Sequence, residues 1–177
     1  EKRKNLANCR KGEYEGLAKK IIDPKWKPDY GPNKFNESVK KSGATAIAAR
    51  DFLVAYNVNL NTTSTRRANA VAFDIREAGR IKRDGGKISG KIIKGKDGEP
   101  LREPGLFKSV KGIGWFIKEY GIAQISYNLT DINTSPLHKV FEKTCERAEK
   151  RGMRVTGSEL VGLIPKKVLT DAGKYFL

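Results

Sequence analysis

One short run near the middle of the chain constrains everything around it. Across residues 122–131 apolar and polar side chains alternate: Ala123, Ile125, Tyr127 and Leu129 fall on one side, Gln124, Ser126, Asn128 and Thr130 on the other. A period of two marks a strand with one buried face. Such a strand needs neighbours along its edges and a second layer over its apolar side. The rest of the sequence has to supply both.

It supplies them in a definite order. Residues 109–118 read as a strand, joined to the first run by a tight turn at Tyr120-Gly121. Residues 45–60 read as another, with Phe52, Val54, Tyr56, Val58 and Leu60 on one face and Leu53, Ala55, Asn57 and Asn59 on the other. Residues 155–164 read as a fourth strand. Residues 63–80 are helical by the spacing of Ala68, Val71, Ala72 and Ile75, with Gly79 at the end. Ser135 caps a second long helix that begins at Pro136 and stops at Gly152; Leu137, Val140, Phe141, Thr144, Cys145 and Ala148 form its inner stripe. Pro165 starts a last helix with Val168, Leu169, Ala172 and Tyr175 facing inward. Residues 2–20 read as a helix with a weak stripe through Leu6, Cys9 and Leu17, diluted by Gly12 and Gly16 and ended by Pro24. Residues 81–106 form a long Gly- and Lys-rich loop, with a hairpin around Lys96-Asp97-Gly98-Glu99-Pro100.

From residue 45 onward the order is strand, helix, strand, strand, helix, strand, helix. This predicts an α+β chain: a ferredoxin-like split βαβ sandwich, βαββαβ plus a C-terminal helix, with an N-terminal helical and loop extension. In that topology the first and third strands are neighbours in mid-sheet and both helices cover one face. Asn57, Asn59, Gln124, Ser126 and Asn128 then cluster on the open face. An antiparallel sheet commonly has one wet face. Asn is depleted in strands, however, and neighbouring amides can donate and accept hydrogen bonds to a polar ligand. Both readings fit the sequence.

With 177 residues and a net charge of +16, the chain is expected to be one domain, or one domain plus an appendage, that attracts polyanions. Nucleic acid is the first suspect, and a small polyanionic ligand in a cleft is the other. Basic residues are scattered over the helices and residues 81–111 without an unbroken basic run, so solvated basic faces explain the total equally well. No apolar run approaches membrane-span length. The charged start is no signal peptide. Without an initiator Met, and opening as if within a helix, the chain is expected to be a piece of a longer, cytoplasmic protein. Cys9 and Cys145 have no metal-ligand spacing and read as reduced, partly buried thiols.

Few motifs carry chemistry. Gly85-Gly86-Lys87-Ile88-Ser89-Gly90-Lys91-Ile92 nearly matches a phosphate-binding loop, but Ile92 stands where the metal-binding hydroxyl belongs, and neither strand nor helix flanks it. Gly112-Ile113-Gly114 lies inside a strand, where close backbone approach or a bulge explains it better than a dinucleotide fingerprint. His138, the single histidine, has no nucleophile or carboxylate partner in view. Asp29, Glu37, Asp51 and Glu159 are isolated acids that form no paired-carboxylate site. The chain shows a binding surface more clearly than a reaction centre.

The most unusual stretch is Lys25 to Phe35, KWKPDYGPNKF, too broken for a helix and too aromatic for a plain loop. Together with NLANCRKGEYEGL before it and GATAIAARDFLVAYNVNL, KGIGWF, AQISYNL and GSELVGLIP after it, this stretch resembles the glutamate formimidoyltransferase (formiminotransferase) family. The resemblance covers essentially the whole chain outside residues 81–106. It implies transfer of a formimidoyl group from N-formimidoyl-glutamate to N5 of tetrahydrofolate, the co-substrate, in histidine degradation. It further implies two subdomains facing each other across a basic tunnel, and a homodimer. Residues 1–43 resemble the tail of the N-terminal subdomain and residues 44–177 the C-terminal one.

The family's catalytic histidine belongs to the part of the N-terminal subdomain missing here. His138 does not match it, so no catalytic residue is carried over. Pro28, Asp29, Tyr30, Gly31, Pro32, Asn33, Lys34, Phe35, Asn36 and Glu37 resemble the family's folate-binding stretch. Tyr30 and Phe35 could stack on a flat ring, Lys34 could attract carboxylates, and Asp29 could accept pterin N–H groups or cap a turn. Asn57, Asn59, Gln124, Ser126 and Asn128 would form one tunnel wall. The competing reading is a basic nucleic-acid-binding module. RNA readers of this topology carry exposed aromatics on the central strands. Here amides and hydroxyls stand there, and Tyr56 and Tyr127 point to the core, which counts against RNA.

Overall fold

A computed structural model describes residue 3, residues 5–86 and residues 89–177. They form two compact units, residues 1–49 and 50–177.

The first unit is short helices and turns. The helix expected over residues 2–20 is instead two pieces, α1 (Leu6–Arg10) and α2 (Leu17–Lys20). The break lies at Gly12 and Glu13, both at positive φ (89° and 45°), a conformation that no α-helix continues through. Lys20 Nζ donates to the carbonyls of Asn8, Cys9 and Lys11 at 2.9, 2.5 and 3.0 Å, supplying donors that the end of α1 would otherwise lack. The helix α3 (Glu37–Ser42) follows, N-capped by Asn36, whose side chain accepts from Val39 N at 3.0 Å.

The second unit holds the sheet. Its strands are β1 (Val54–Leu60), β4 (Val110–Ile117), β5 (Ile122–Leu129) and β6 (Val155–Val161). They run in the order β4-β5-β1-β6, and every pairing is antiparallel. Helices α4 (Thr65–Ile75) and α5 (Leu137–Glu149) pack on one face. That face carries Val54, Val58 and Leu60 of β1 and Ala123, Ile125, Tyr127 and Leu129 of β5, all fully buried. The Tyr127 hydroxyl lies 3.1 Å from Thr144 Oγ1 of α5, so its polar tip is satisfied inside the core. Burial pushes the Cys145 thiol up, which keeps it protonated.

Several expected boundaries move. The first strand begins at Val54, and residues 44–53 are irregular; Phe52, expected on the core face, is 78% exposed. Alternation alone extended that strand too far, because no partner strand continues beside it: the ladders end at Val54↔Leu129 and Ala55↔Val161. The helix expected over 63–80 ends at Ile75, and β6 ends at Val161 rather than residue 164. Ser135 does not cap α5; its hydroxyl donates to Lys108 O at 2.5 Å, and Pro136 is the capping residue. In α6 (Lys166–Phe176) Val168 is buried, but Leu169 and Tyr175 are exposed. The hairpin around residues 96–100 is present. The bridge Lys94↔Pro100 closes it; a second bridge, Arg83↔Ile92, and the pairing of β2 (Arg80–Ile81) with β3 (Arg102–Glu103) lie outside it. Of the near-match to a phosphate-binding loop, Lys87 and Ile88 lie outside the described residues.

The turn that leads from β5 into α5 has a pH signature. The Asp131 carboxylate accepts from Thr134 Oγ1 at 2.5 Å and from the Asn133 and Thr134 amides at 2.9 and 3.2 Å. The Thr134 hydroxyl first, then the two amides, holds its pKa below the usual carboxylate range. A carboxylate depressed in the folded state contributes stability above its unfolded pKa, and that contribution is lost as pH falls through the folded value. Thermal melts between neutral and strongly acid pH should therefore fall less steeply for Asp131→Ala than for the parent. Equal slopes would mean the turn does not persist in solution.

Candidate functional site

The face of the sheet opposite α4 and α5 is polar. Cross-strand register arranges it in rows. Trp115 of β4 stands opposite Gln124 of β5, which stands opposite Asn59 of β1. In the next row Ile113, Ser126, Asn57 and Glu159 of β6 follow one another, and in the third Lys111, Asn128, Ala55 and Val161. The five residues expected on this face, Asn57, Asn59, Gln124, Ser126 and Asn128, are thus neighbours on the two central strands. The plain wet face does not hold: Gln124 is fully buried and Asn57 is 7% exposed.

Hydrogen bonds explain why burial is tolerated. Trp115 Nε1 donates to Gln124 Oε1 at 3.0 Å. Gln124 Nε2 donates to Asn59 Oδ1 at 2.7 Å and to Glu159 Oε2 at 3.3 Å. Asn57 Nδ2 donates to the same Glu159 oxygen at 3.1 Å. An indole N–H can only donate and a carboxylate can only accept, so the orientation of the Gln124 amide is fixed by its partners. Buried polar groups satisfied in this way rigidify the surface they belong to.

Gly112 and Gly114 serve the opposite side of β4. A Cβ at Gly112 would lie 2.7 Å from the Tyr127 ring, and one at Gly114 would lie 2.6 Å from Asn69 N of α4. Close approach, as expected, is the reason for both.

In the first unit the stretch 28–37 divides into anchored and open residues. Asp29 pairs with Arg3, which also donates to Lys27 O at 2.5 Å. The Phe35 ring packs on Tyr14, centroids 6.2 Å apart, so its aromatic surface is partly engaged. Asn36 caps α3, and Glu37 pairs with Lys40 at 2.5 Å. Gly31 has φ 82°. Tyr30 is 93% exposed, and Pro32, Asn33 and Lys34 are exposed beside it; Pro28 is half-buried. Trp26 lies under the Lys20 ammonium, 4.5 Å from its ring centroid.

Two concavities lie off the polar face. One of about 190 Å³ is lined by Leu137, His138, Val168 and Asp171. The other, of about 360 Å³, is lined by Phe73, Arg76, Arg80 and Arg83. His138 stacks on Tyr175, centroids 4.6 Å apart, on the helical side of the sheet. Among the described residues no cluster of metal-ligating side chains occurs, and no helix is long and apolar enough to cross a membrane.

Residues 55–177 match the family described as the formiminotransferase domain. The chain belongs to the formiminotransferase family. Residues 1–50 match that domain's N-terminal subdomain. A formimidoyltransferase-cyclodeaminase of Gallus gallus is 44% identical over 177 residues, all of this chain and 28% of the relative. One from Dictyostelium discoideum is 41% identical over 99% of this chain and 28% of its own length. A glutamate formimidoyltransferase of Streptococcus pyogenes serotype M1 is 35% identical over 99% of this chain and 49% of its own. This formiminotransferase chain thus spans from about a quarter to about half of the length of these curated relatives.

Sequence reasoning missed two members of the polar face. Trp115 sits on the edge strand β4 with 46% of its surface exposed. Glu159 sat among isolated acids, because its partners Asn57 and Gln124 are 102 and 35 residues away. Pattern reading assigns a side chain to a face, but cannot say which strand lies next to which residue of another.

Proposed function

We propose that this chain is the folate-binding part of a glutamate formimidoyltransferase, which moves a formimidoyl group from N-formimidoyl-glutamate to tetrahydrofolate in histidine degradation. The observation that carries the reading is membership of the formiminotransferase family, with a glutamate formimidoyltransferase aligned to nearly the whole chain. On this reading residues 28–37 hold the folate, with Tyr30 as the stacking ring and Lys34 as the carboxylate partner, since both are exposed and neither is engaged elsewhere among the described residues. The polar sheet face forms one wall of the ligand tunnel. The sheet belongs to the ferredoxin-like class; adjacency of β1 and β5 in mid-sheet, with both crossing helices on one face, supports that assignment.

The reaction divides between the two subdomains. This chain positions: its rigid polar wall holds the ligand so that donor carbon and acceptor nitrogen come into near-attack geometry. A histidine of the partner subdomain moves the protons, since His138 lies on the helical side of the sheet, away from the polar wall. The protein works in the cytoplasm as a homodimer, and the net charge of +16 steers polyanionic folate toward it.

A tryptophan-fluorescence titration with tetrahydropteroyl-polyglutamate tests the reading, with Trp26 and Trp115 as reporters and single-stranded RNA as the control. Folate should give a saturable change. Tyr30→Ala should weaken it roughly ten-fold, the scale of one lost aromatic contact, and Lys34→Ala by a few-fold, the scale of an exposed ion pair. Salt-sensitive RNA binding without a folate response would turn the assignment toward a nucleic-acid module.

A further inference from the structure

We propose that Glu159 is the residue that selects a formimidoyl donor over a formyl donor. The proposal rests on the reading that the polar sheet face lines the ligand tunnel. It starts from how one carboxylate is held. Asp29, Glu37, Asp74, Glu146 and Asp171 are each paired with a Lys or Arg. Glu159 is not: among the described residues its recorded partners are the neutral amides of Asn57 and Gln124, both on Oε2. The carboxylate is held in place while its negative charge stays uncompensated, and Oε1 keeps its acceptor sites open.

The hold is firm because of what lies behind it. Gln124 is fully buried, and its amide is oriented by the Trp115 indole on one side and Asn59 on the other. Glu159 itself is exposed on β6, opposite Asn57, so its free oxygen is accessible from the polar face. A fixed carboxylate with a free oxygen recognises a planar cation carrying N–H donors, as the guanidinium–carboxylate pair illustrates. A formimidoyl group is an amidine; it is strongly basic, protonated at neutral pH, and presents N–H donors in a plane. A formyl group of the same shape presents an oxygen lone pair in place of an N–H. Opposite Glu159 the first makes a charge-assisted hydrogen bond and the second sets acceptor against acceptor. A site built to hydrogen-bond one group rejects the analogue that leaves its polar atoms unpaired. Gln124 and Asn57 act through Glu159 as positioning residues.

The test is donor selectivity in the whole protein that carries this chain, with tetrahydrofolate as acceptor and N-formimidoyl-glutamate or N-formyl-glutamate as donor. Glu159→Gln keeps the shape and removes the charge. It should lower kcat/KM for the formimidoyl donor by roughly ten-fold or more, the scale of one charge-assisted hydrogen bond, and lower the formyl value by a clearly smaller factor. Glu159→Asp, which keeps the charge, should retain a preference between those of the parent and of Glu159→Gln, and it carries the test if Glu159→Gln fails to fold. Equal losses for the two donors, or no loss for either, would overturn the assignment. A tetrahydrofolate titration of the parent separates the two levels. A saturable folate response beside equal donor losses defeats the Glu159 assignment alone, whereas no folate response defeats the tunnel reading beneath it.

Discussion

Gly114→Val should cost residues 50–177 about 4 kcal/mol or more of their stability. The reason is the approach of β4 to α4. A Cβ at Gly114 would lie 2.6 Å from Asn69 N and 2.8 Å from both Ala68 C and Ala68 Cβ. Two of these are backbone atoms, so no side-chain rotation relieves the clash; the helix or the strand must move. Moving either one breaks a two-way contact, in which Asn69 Oδ1 accepts from Gly114 N at 3.0 Å and Asn69 Nδ2 donates to Gly114 O at 3.0 Å. Overpacking a core costs about 1–3 kcal/mol where neighbours can yield, and more where they cannot. Two hydrogen bonds at about 1 kcal/mol each add to that. The expected loss is about 4 kcal/mol or more, a large share of the 5–15 kcal/mol typical of a domain. Urea unfolding followed by circular dichroism measures it, with Gly114→Ala as the milder step. A Gly114→Val midpoint equal to that of the parent would mean that β4 and α4 stand further apart than described.

Gln124→Leu should cost about 2–3 kcal/mol although it places an apolar side chain at a fully buried position. Leu fills much of the volume but makes none of the bonds. Trp115 Nε1 and Asn59 Oδ1 lose their partners, and Glu159 keeps only Asn57. Each polar group stranded away from water costs about 1–3 kcal/mol; Trp115 and Asn59 are partly accessible, so water recovers a share of it. The Trp115 emission should shift as the indole N–H is released. Gln124→Glu offers a sharper form of the same test. It sets a second carboxylate against Glu159, and like charges at that range raise the pKa of one of them. A carboxyl raised in the folded state adds stability below its unfolded pKa and loses it as pH rises through the folded value. Gln124→Glu should therefore be unstable at neutral pH and recover toward the parent near pH ~4. A pH-independent deficit would show that the network around Gln124 is not held as described.

The two predictions draw on different kinds of information. Gly112-Ile113-Gly114 inside a strand was enough to expect close approach, because a missing Cβ has few other uses there. That α4 is the element pressed against Gly114 appears only in the packing. The alternation of residues 122–131 placed Gln124 on the polar face, but it could not foretell that the residue is sealed. That depends on Trp115 and Glu159 reaching it from β4 and β6. Similarly, every second residue from Phe52 to Leu60 is apolar, yet Phe52 is exposed, because a strand persists only where a neighbour pairs with it.

The sequence by itself determined the second unit's order of elements, the inner faces of α4, α5 and β5, and the family, because periodicity and local motifs are written along the chain. It also marked residues 28–37 as special, although it could not separate anchored Asp29, Phe35, Asn36 and Glu37 from exposed Tyr30 and Lys34. Only the tertiary structure joined Glu159 to Asn57 and Gln124, because that contact depends on strand register and on side chains that cross a neighbouring strand. Register is set by the packing of the whole sheet, and no local pattern encodes it.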